Sequence, residues 1–151
     1  MMLDRSAFQA WLDGYVAAWR SYDPVAIGAL FSEQATYRYR PEDQPLVGRA
    51  AIVADWLRDP DAPDTWDAHY EPLAIDGETH VAQGWTRYLT GTGGVRDGYR
   101  NIFILTFDAA GQATSFTELW MQERTYARQA RETAIEQALE AAGVNTGETS
   151  G

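Results

Sequence analysis

Residues 66–122 contain four strand-like segments joined by links too short to hold a helix. The segments are rich in β-branched and aromatic residues, and they cover residues 66–75, 80–90, 99–107 and 114–122. Between the first two, Asp76-Gly77 is typical of a two-residue hairpin turn. Strands joined by such short links pair in antiparallel order, so we predict an antiparallel meander.

The chain before this meander has helical periodicity. One face collects apolar side chains in steps of three and four residues, namely Phe8, Trp11, Leu12, Tyr15, Val16 and Trp19. This spacing predicts a helix over residues 7–19, and Ser6 with Gln9 has the pattern of a capping box at its start.

Two more helices and one strand are predicted before residue 60. Asp23 followed by Pro24 is typical of a helix start and predicts a short second helix. Residues 35–39 predict a strand, and Gly48 precedes a third helix. The buried side of the second helix is predicted to hold Ala26, Ile27, Leu30 and Phe31, and that of the third Ile52, Val53, Trp56 and Leu57.

The C-terminal part differs in composition. Residues 124–142 are rich in Ala, Glu, Gln and Arg and predict a helix that docks on the domain or on a second subunit, while residues 143–151 are predicted to be disordered. We therefore divide the chain into a domain over residues 1–123 and a helical extension with a tail over residues 124–151. The order α-α-β-α-β-β-β-β-α places the domain in the α+β class.

Charge and cysteine content exclude several functions. The 151 residues include 12 basic and 22 acidic ones, a net charge of −10, so we expect no nucleic-acid partner and no membrane partner. The chain has no cysteine, which excludes disulfides and thiolate chemistry. No signal peptide or membrane span is visible, so we expect a cytoplasmic protein. Four aspartates within residues 59–67 lack the pattern of a calcium loop, and we predict no metal site.

Five short motifs, in their order and spacing, resemble SnoaL-like domains of the nuclear transport factor 2-like superfamily. They are WLDGYVAAW at 11–19, LFSEQATY at 30–37, GRAAI at 48–52, FDAAG at 107–111 and FTELW at 116–120. The resemblance implies a cone-shaped α+β fold, in which three N-terminal helices pack in the concave face of a strongly bent mixed or antiparallel sheet. It covers residues 6 to about 123 and excludes the C-terminal helix.

The superfamily includes polyketide cyclases, ketosteroid isomerase, scytalone dehydratase and limonene epoxide hydrolase, as well as members without catalysis, so the fold alone names no reaction. In ketosteroid isomerases, a tyrosine at the place of Tyr15 donates a hydrogen bond to the substrate oxyanion, and the resemblance gives Tyr15 this role. Alternatively, Tyr15 is a core residue bonded to a backbone carbonyl. The isomerase's two acidic residues have no counterpart, because Tyr39 and Phe103 stand near their places.

Strand alternation provides a second catalytic candidate, Glu118. It shares a strand face with Phe116 and Trp120, and the family hairpin pattern turns that face into the cone. A carboxyl between two aromatic side chains is partly desolvated, which raises its pKa and suits a general acid or base. The alternative is a structural glutamate paired with Arg87 or Arg100.

The predicted site therefore has catalytic and ligand-binding parts. Glu118 and Tyr15 are the catalytic candidates, and the ligand-binding candidates are Trp19, Tyr39, Trp56, Tyr70, Asn101, Phe103, Phe116 and Trp120. Asn101 could instead satisfy a strand end, and Trp56 could serve packing alone. His69 is predicted to face outward, and the face of Trp85 and Arg87 is left open.

Three functions remain possible from the sequence. The first is a cofactor-independent lyase or isomerase of the cyclase, isomerase or dehydratase type, which acts on a small apolar oxygenated molecule in a deep pocket. The second is a non-catalytic protein that binds such a molecule. The third is an interaction protein that forms a homodimer through the outer sheet face.

Overall fold

A computed structural model describes residues 1–144 of the chain. Its elements, in chain order, are α1 (Arg5–Ser21), α2 (Pro24–Ala29), β1 (Phe31–Arg38), β2 (Leu46–Val47), α3 (Arg49–Arg58), β3 (Trp66–Asp76), β4 (Thr79–Leu89), β5 (Val95–Phe107), β6 (Ala113–Gln122) and α4 (Arg124–Ala141). The tail predicted to be disordered falls largely on residues 145–151, which lie outside the described part.

The six strands form one mixed sheet in the order β2-β1-β6-β5-β4-β3. Strands β3 to β6 pair in sequence as an antiparallel meander, which confirms the prediction from the short links. Strand β1 joins the meander beside β6 in parallel order. The sheet does not close on itself, and with the helices it forms the predicted cone-shaped α+β fold.

Helix α1 begins earlier than the sequence predicts, and the capping-box prediction is wrong. The cap is Asp4, whose carboxylate accepts a 2.8 Å hydrogen bond from the backbone N–H of Ala7. Ser6 therefore lies inside the first turn. The buried face is as predicted at Phe8 and Tyr15, and Gln9 donates a 3.0 Å bond to the Tyr70 carbonyl, which ties α1 to β3.

Strand β1 also differs from its predicted extent. It begins at Phe31 rather than at residue 35 and ends at Arg38, so Tyr39 lies just beyond it. Helix α2 stops early because the carbonyl of Leu30 accepts bonds from the indole of Trp11 at 3.0 Å and from the backbone N–H of Ala113 at 2.8 Å. The two-residue strand β2 was not predicted, since so short a strand carries no periodicity.

Helix α3 presents a narrower buried face than the sequence predicts. Ile52 and Trp56 are buried and Val53 is partly buried, but Leu57 is 38% exposed, so its predicted burial is wrong. The helix packs on α2, β1 and β2, and these contacts bury the face that carries Ile52 and Trp56.

Aromatic side chains form the core between α1 and the sheet. Phe116 on β6 stacks on Tyr37 with ring centroids 4.5 Å apart and contacts Phe103 at 4.7 Å, and all three rings are fully buried. Burial of each ring contributes about 1.5 to 3 kcal/mol. This layer of Phe103 and Phe116 is the floor on which the polar side chains of the site stand.

A glycine on β4 positions one of those side chains. Gly84 lies opposite Tyr70 in the β3–β4 ladder. A methyl group at Gly84 would collide with the backbone carbonyl of His69 and with the ring of Tyr70. The missing side chain therefore lets the Tyr70 ring lie close over the neighbouring strand.

Helix α4 is the predicted C-terminal helix, and none of its residues is buried. Its first turn rests on β5, where a side chain at Gly98 would come within 2.7 Å of the Tyr126 ring. Farther along, Ile135 is 53% exposed. Within residues 1–144, no helix combines the length and the hydropathy of a membrane span.

Candidate active site

A cavity of about 570 Å³ lies between the helices and the concave face of the sheet. Its walls are mostly tyrosine and tryptophan, with several carboxylates and two arginines. The lining residues are Tyr15, Trp19, Tyr22, Tyr37, Tyr39, Asp55, Trp56, Arg58, Asp59, Asp61, Tyr70, Thr86, Tyr88, Arg96, Asp97, Tyr99, Asn101, Glu118 and Trp120.

Glu118 lies on the cavity wall, on the strand face that alternation predicts. Burial raises the pKa of its carboxyl from the usual 4.5 to about 7, although a hydrogen bond from Asn101 acts in the opposite direction. No arginine or histidine lies within 4.0 Å of the carboxyl in the part of the chain that is described. The carboxyl is therefore poised between its acid and base forms near neutral pH.

A chain of hydrogen bonds joins side chains of four strands, β3 to β6, and ends at Glu118. Asn101 donates from Nδ2 to Glu118 Oε1 at 2.8 Å, and its Oδ1 accepts the Thr86 hydroxyl at 3.0 Å. Because Thr86 uses its only hydrogen there, the Tyr70 hydroxyl must be the donor in its 2.5 Å bond to Thr86 Oγ1. The chain thus fixes the amide orientation of Asn101 and directs an N–H to the carboxyl.

A pair of buried tyrosines provides a free donor in the same cavity. The hydroxyls of Tyr15 and Tyr37 lie 3.3 Å apart. Burial, with the negative charge of Glu118 nearby, holds the pKa of both well above the usual value, so both stay protonated. One of the two hydroxyl hydrogens forms the hydrogen bond between the tyrosines, and the other is free to bind a ligand oxygen. The partner of Tyr15 is therefore a hydroxyl, not the backbone carbonyl of the alternative interpretation.

On one side of the cavity mouth, an ion pair is joined to a tyrosine. Tyr39, 42% exposed, donates a 2.6 Å hydrogen bond to Asp55 on α3, and Arg58 binds the other oxygen of that carboxylate at 2.8 Å. Trp120 is also 42% exposed and carries the Arg40 guanidinium over its ring at 4.8 Å. These groups form a polar rim around the aromatic interior.

The other side of the mouth is built around Asp61. Its Oδ2 accepts the Trp19 indole N–H at 2.9 Å and the Tyr22 hydroxyl at 3.2 Å. The backbone N–H of Asp61 in turn donates to the Tyr22 oxygen at 2.8 Å. These bonds tie the loop after α3 to the end of α1.

Trp56 lies deeper in the cavity. Its buried indole N–H has no hydrogen-bond acceptor among residues 1–144.

The structure places the other predicted residues on both sides of the sheet. Phe103 and Phe116 lie in the floor beneath the cavity and are not among its lining residues. Trp85 and Arg87 stack on each other at 4.5 Å, on the strand face opposite to inward-facing Thr86. His69 alternates with inward-facing residues of β3, so it faces outward as predicted.

The alternative that Glu118 pairs with an arginine is not what the structure shows. Arg87 faces away from the cavity, and Arg100 lies 3.5 Å from Glu123 at the start of α4. The only side-chain hydrogen bond to Glu118 within residues 1–144 comes from a neutral amide.

Several cavity residues were not predicted from the sequence. Tyr37 stands two residues before Tyr39, so the alternation of side chains in the predicted strand 35–39 could have identified it. Thr86 and Tyr88 could be predicted only if the inward face of β4 were known. The sequence leaves that face open, because the opposite face also carries a large aromatic residue, Trp85. Asp61 lies in a loop that has no periodic signal, and its acidic surroundings favoured an interpretation as a solvated segment.

The chemistry available to the cavity is limited by composition. All 12 basic residues of the chain are arginine, so no lysine can form a Schiff base. Within residues 1–144, no three side chains of His, Asp or Glu lie close enough together to hold a metal ion. The acid–base groups in the cavity are carboxyls and tyrosine hydroxyls.

The bent mixed sheet with helices on its concave face defines the nuclear transport factor 2-like class of α+β proteins. A model of the SnoaL-like domain family matches residues 12–116. The chain belongs to this family. The match ends before the last residues of β6 and before α4. Among curated proteins, none matches this chain.

Solved structures share the fold at low sequence identity. A protein from Kribbella flavida DSM 17836, described provisionally as a ketosteroid isomerase, is 18% identical and aligns over 82% of this chain and 84% of its own, with a TM-score of 0.60. An NTF-2-like protein of unknown function from Burkholderia xenovorans LB400 is 15% identical and aligns over 78% of this chain and 85% of its own, with a TM-score of 0.60. A ketosteroid isomerase-like protein from Erwinia carotovora atroseptica SCRI1043 is 19% identical and aligns over 78% of this chain and 96% of its own, with a TM-score of 0.53.

Proposed function

We propose that the cavity binds a small, largely apolar molecule that carries an oxygen function, and that Glu118 moves a proton on it. The observation that carries this proposal is a buried carboxyl with a pKa of about 7 in a cavity that also holds an unused tyrosine O–H. The reaction class is that of a cofactor-independent isomerase, cyclase or dehydratase. The family and the fold are compatible with this class and equally with ligand binding alone.

In the proposed step, ionised Glu118 takes a proton from a carbon next to a carbonyl group of the ligand. The electron pair of the broken C–H bond forms a carbon–carbon double bond, and the π electron pair of the carbonyl moves onto its oxygen, which gives an enolate. The free hydroxyl hydrogen of the Tyr15–Tyr37 pair is donated to this oxygen and stabilises its charge. The enolate then collapses to the carbonyl, and protonated Glu118 returns the proton. The proton goes to the far carbon of a conjugated double bond in an isomerisation, or to a β-hydroxyl group that leaves as water in a dehydration.

The role of Asn101 in this step is to position the carboxyl. Its N–H binds Oε1 of Glu118, and no described residue donates a hydrogen bond to Oε2. Oε2 is therefore the oxygen available for proton transfer. A flipped amide would present its oxygen to the ionised carboxyl, so the orientation with Nδ2 at Oε1 is the favourable one, and in it Oδ1 accepts the Thr86 hydroxyl.

The test begins with identification of the ligand by native mass spectrometry of the purified protein. Turnover of that ligand is then measured for the wild type, for Glu118→Gln and for Glu71→Gln, a matched change at an exposed position on β3. The glutamine at position 118 keeps an acceptor for Asn101 but cannot take a proton. We expect loss of turnover of at least about a hundredfold for Glu118→Gln and no loss for Glu71→Gln.

A non-catalytic binding role is the second candidate, and it is favoured by one observation. Within residues 1–144, Glu118 is hydrogen-bonded by a neutral amide alone and forms no dyad with a second acid or base. If the ligand is recovered chemically unchanged after long incubation and Glu118→Gln alters only its affinity, the binding role replaces the catalytic one.

We also propose a homodimer through the outer sheet face. Strand β6 and its neighbour expose apolar side chains there, including Leu119 at 39%, Met121 at 75% and Ile104 at 38%. Covering such a stripe with a second copy removes apolar area from water. Light scattering should show a dimer at micromolar concentration, and Met121→Glu should shift it to a monomer. A wild-type monomer would contradict this proposal.

A further inference from the structure

One carboxylate in the cavity lacks a positive partner. Asp61 is partly buried, and both side-chain donors that bind it, the Trp19 indole and the Tyr22 hydroxyl, are neutral. No arginine or histidine nitrogen in residues 1–144 lies within 4.0 Å of this carboxylate. A charge that is removed from water without a counter-ion is unfavourable, so a bound cation would relieve it.

The other acidic groups of the cavity differ in this respect. Asp55 is paired with Arg58 at 2.8 Å, and Asp97 is paired with Arg96 at 2.9 Å. Asp59 is exposed, so water solvates it. Among the partly buried aspartates that line the cavity, Asp61 alone has no guanidinium beside it in the described chain.

Aromatic rings surround this carboxylate. Trp19 and Tyr22 bind it directly, and Tyr88 from β4 lines the same cavity. Burial raises the pKa of Tyr88 to about 12, and the negative charge of Asp61 adds to that rise, which places the phenol within electrostatic reach of the carboxylate. The Tyr88 ring already attracts a cation, since the Arg96 guanidinium lies 5.7 Å from its centroid.

We propose that the ligand carries a cationic nitrogen, an ammonium or quaternary ammonium group, which binds at Asp61 among the rings of Trp19, Tyr22 and Tyr88. This inference rests on the proposed function, because it names the second end of the molecule whose oxygen function reacts at Glu118. The ligand class is thus an apolar amine with a carbonyl or hydroxyl group. The carboxylate supplies the counter-ion, and the Tyr88 ring supplies cation–π attraction.

The charge of the whole chain acts in the same direction. A net charge of −10 attracts cations and repels carboxylate or phosphate ligands. The cavity lining has five carboxyl groups and two guanidinium groups, so its local charge has the same sign.

The test uses two compounds of nearly the same shape, trimethyl(2-phenoxyethyl)ammonium and its neutral carbon isostere, 3,3-dimethylbutyl phenyl ether. Their dissociation constants are measured by calorimetry with the full chain, at low and at high salt. We expect the cation to bind about tenfold or more tightly than the ether, with a preference that falls as salt rises. Equal affinities for the two compounds would overturn the inference.

Asp61→Asn and a matched control locate the effect. The asparagine keeps an oxygen for Trp19 and Tyr22, and we expect it to remove most of the preference for the cation without weakening the ether. Asp64→Asn removes the same charge outside the cavity, at a left-handed φ of 61° that asparagine tolerates, and it should change neither affinity. A preference retained in Asp61→Asn would also overturn the inference.

Failure of the cation inference can be distinguished from failure of the proposed role of Glu118. If Asp61→Asn does not fold, Tyr88→Leu replaces it, and we expect that variant to lose part of the preference. If the ether binds as well as the cation and both are displaced by the ligand identified by mass spectrometry, the cation inference fails while the proposed function stands. Failure of both compounds to bind would overturn the cation inference, and turnover by Glu118 would still be judged on the identified ligand.

Discussion

Asn101 on β5 donates a 2.8 Å hydrogen bond to Oε1 of Glu118 on β6, and it does so from a position two residues out of direct cross-strand register. The residue opposite Glu118 in the ladder is Phe103, and the residue opposite Asn101 is Trp120. This diagonal contact places the amide against the carboxyl, while Phe103 lies directly opposite Glu118 in the ladder. Burial raises the pKa of Glu118, and Asn101 is the one residue within 1–144 that donates a side-chain hydrogen bond to its carboxyl.

Removal of that neighbour should raise the pKa of Glu118 further. The Asn101 N–H favours the ionised carboxyl, so Asn101→Leu disfavours ionisation and shifts the pKa above about 7. We expect the pH profile of turnover, or the carboxyl chemical shift, to move to higher pH. Thr86→Val is the matched control, because it releases the amide without removing it and should give a smaller shift. A shift to lower pH would contradict this account.

Glu118 should also make stability depend on pH. Because the folded-state pKa of about 7 is above the usual 4.5, the folded state holds the proton more tightly than the unfolded state. The free energy of unfolding should therefore fall as pH rises from about 4.5 to about 7 and be level beyond, by up to about 3 kcal/mol. Glu118→Gln should lack this fall, whereas the exposed Glu71→Gln should retain it. Denaturant titrations at pH 4, 6 and 8 measure the difference.

Gly84→Ala should destabilise the fold strongly. The new methyl group would meet the backbone carbonyl of His69 and the Tyr70 ring, neither of which can move without separating β3 from β4. We expect a loss of about 3 kcal/mol or more in the free energy of unfolding. Gly91→Ala is the control, since nothing lies within 4 Å of its Cβ position, and it should change stability by less than about 0.5 kcal/mol. Equal effects of the two substitutions would show that the β3–β4 contact is looser than described.

Deletion of residues 124–151 should leave the domain folded. Helix α4 buries none of its residues and touches the sheet mainly where Tyr126 lies on Gly98. We expect the free energy of unfolding of a chain that ends at residue 123 to differ by no more than about 1 kcal/mol. Unfolding of that shorter chain would contradict the division at residue 123. A change only in dimerisation would instead assign α4 to the subunit contact.

Much of the fold could be predicted from the sequence because its signals are local. The short links fix the antiparallel order of β3 to β6, and apolar spacing fixes the buried face of α1. The alternation of Phe116, Glu118 and Trp120 also gave the correct face of β6. The end of α2 could not be predicted, because it depends on the Leu30 carbonyl being taken by Trp11 and Ala113, which are distant in sequence.

The arrangement of the site could not be predicted from the sequence either, because it also depends on contacts between residues that are distant along the chain. The chain of hydrogen bonds from Tyr70 to Glu118 joins four strands, and it depends on strand registers that no single segment encodes. Asp61 comes from a loop, so neither period nor turn pattern marks it. Sequence reasoning identified side chains that face inward, whereas the structure is needed to show which of them are hydrogen-bonded and which keep a free atom.

The protonation of Glu118 can be measured by a carbon-13 NMR titration of the glutamate side-chain carboxyl groups, with Glu118→Gln for assignment. We expect one glutamate with a midpoint near pH 7, whose signal is absent from the variant. If every glutamate instead titrates near the usual pKa of 4.5, Glu118 is solvated, and the claim that the cavity holds a carboxyl poised for proton transfer is contradicted.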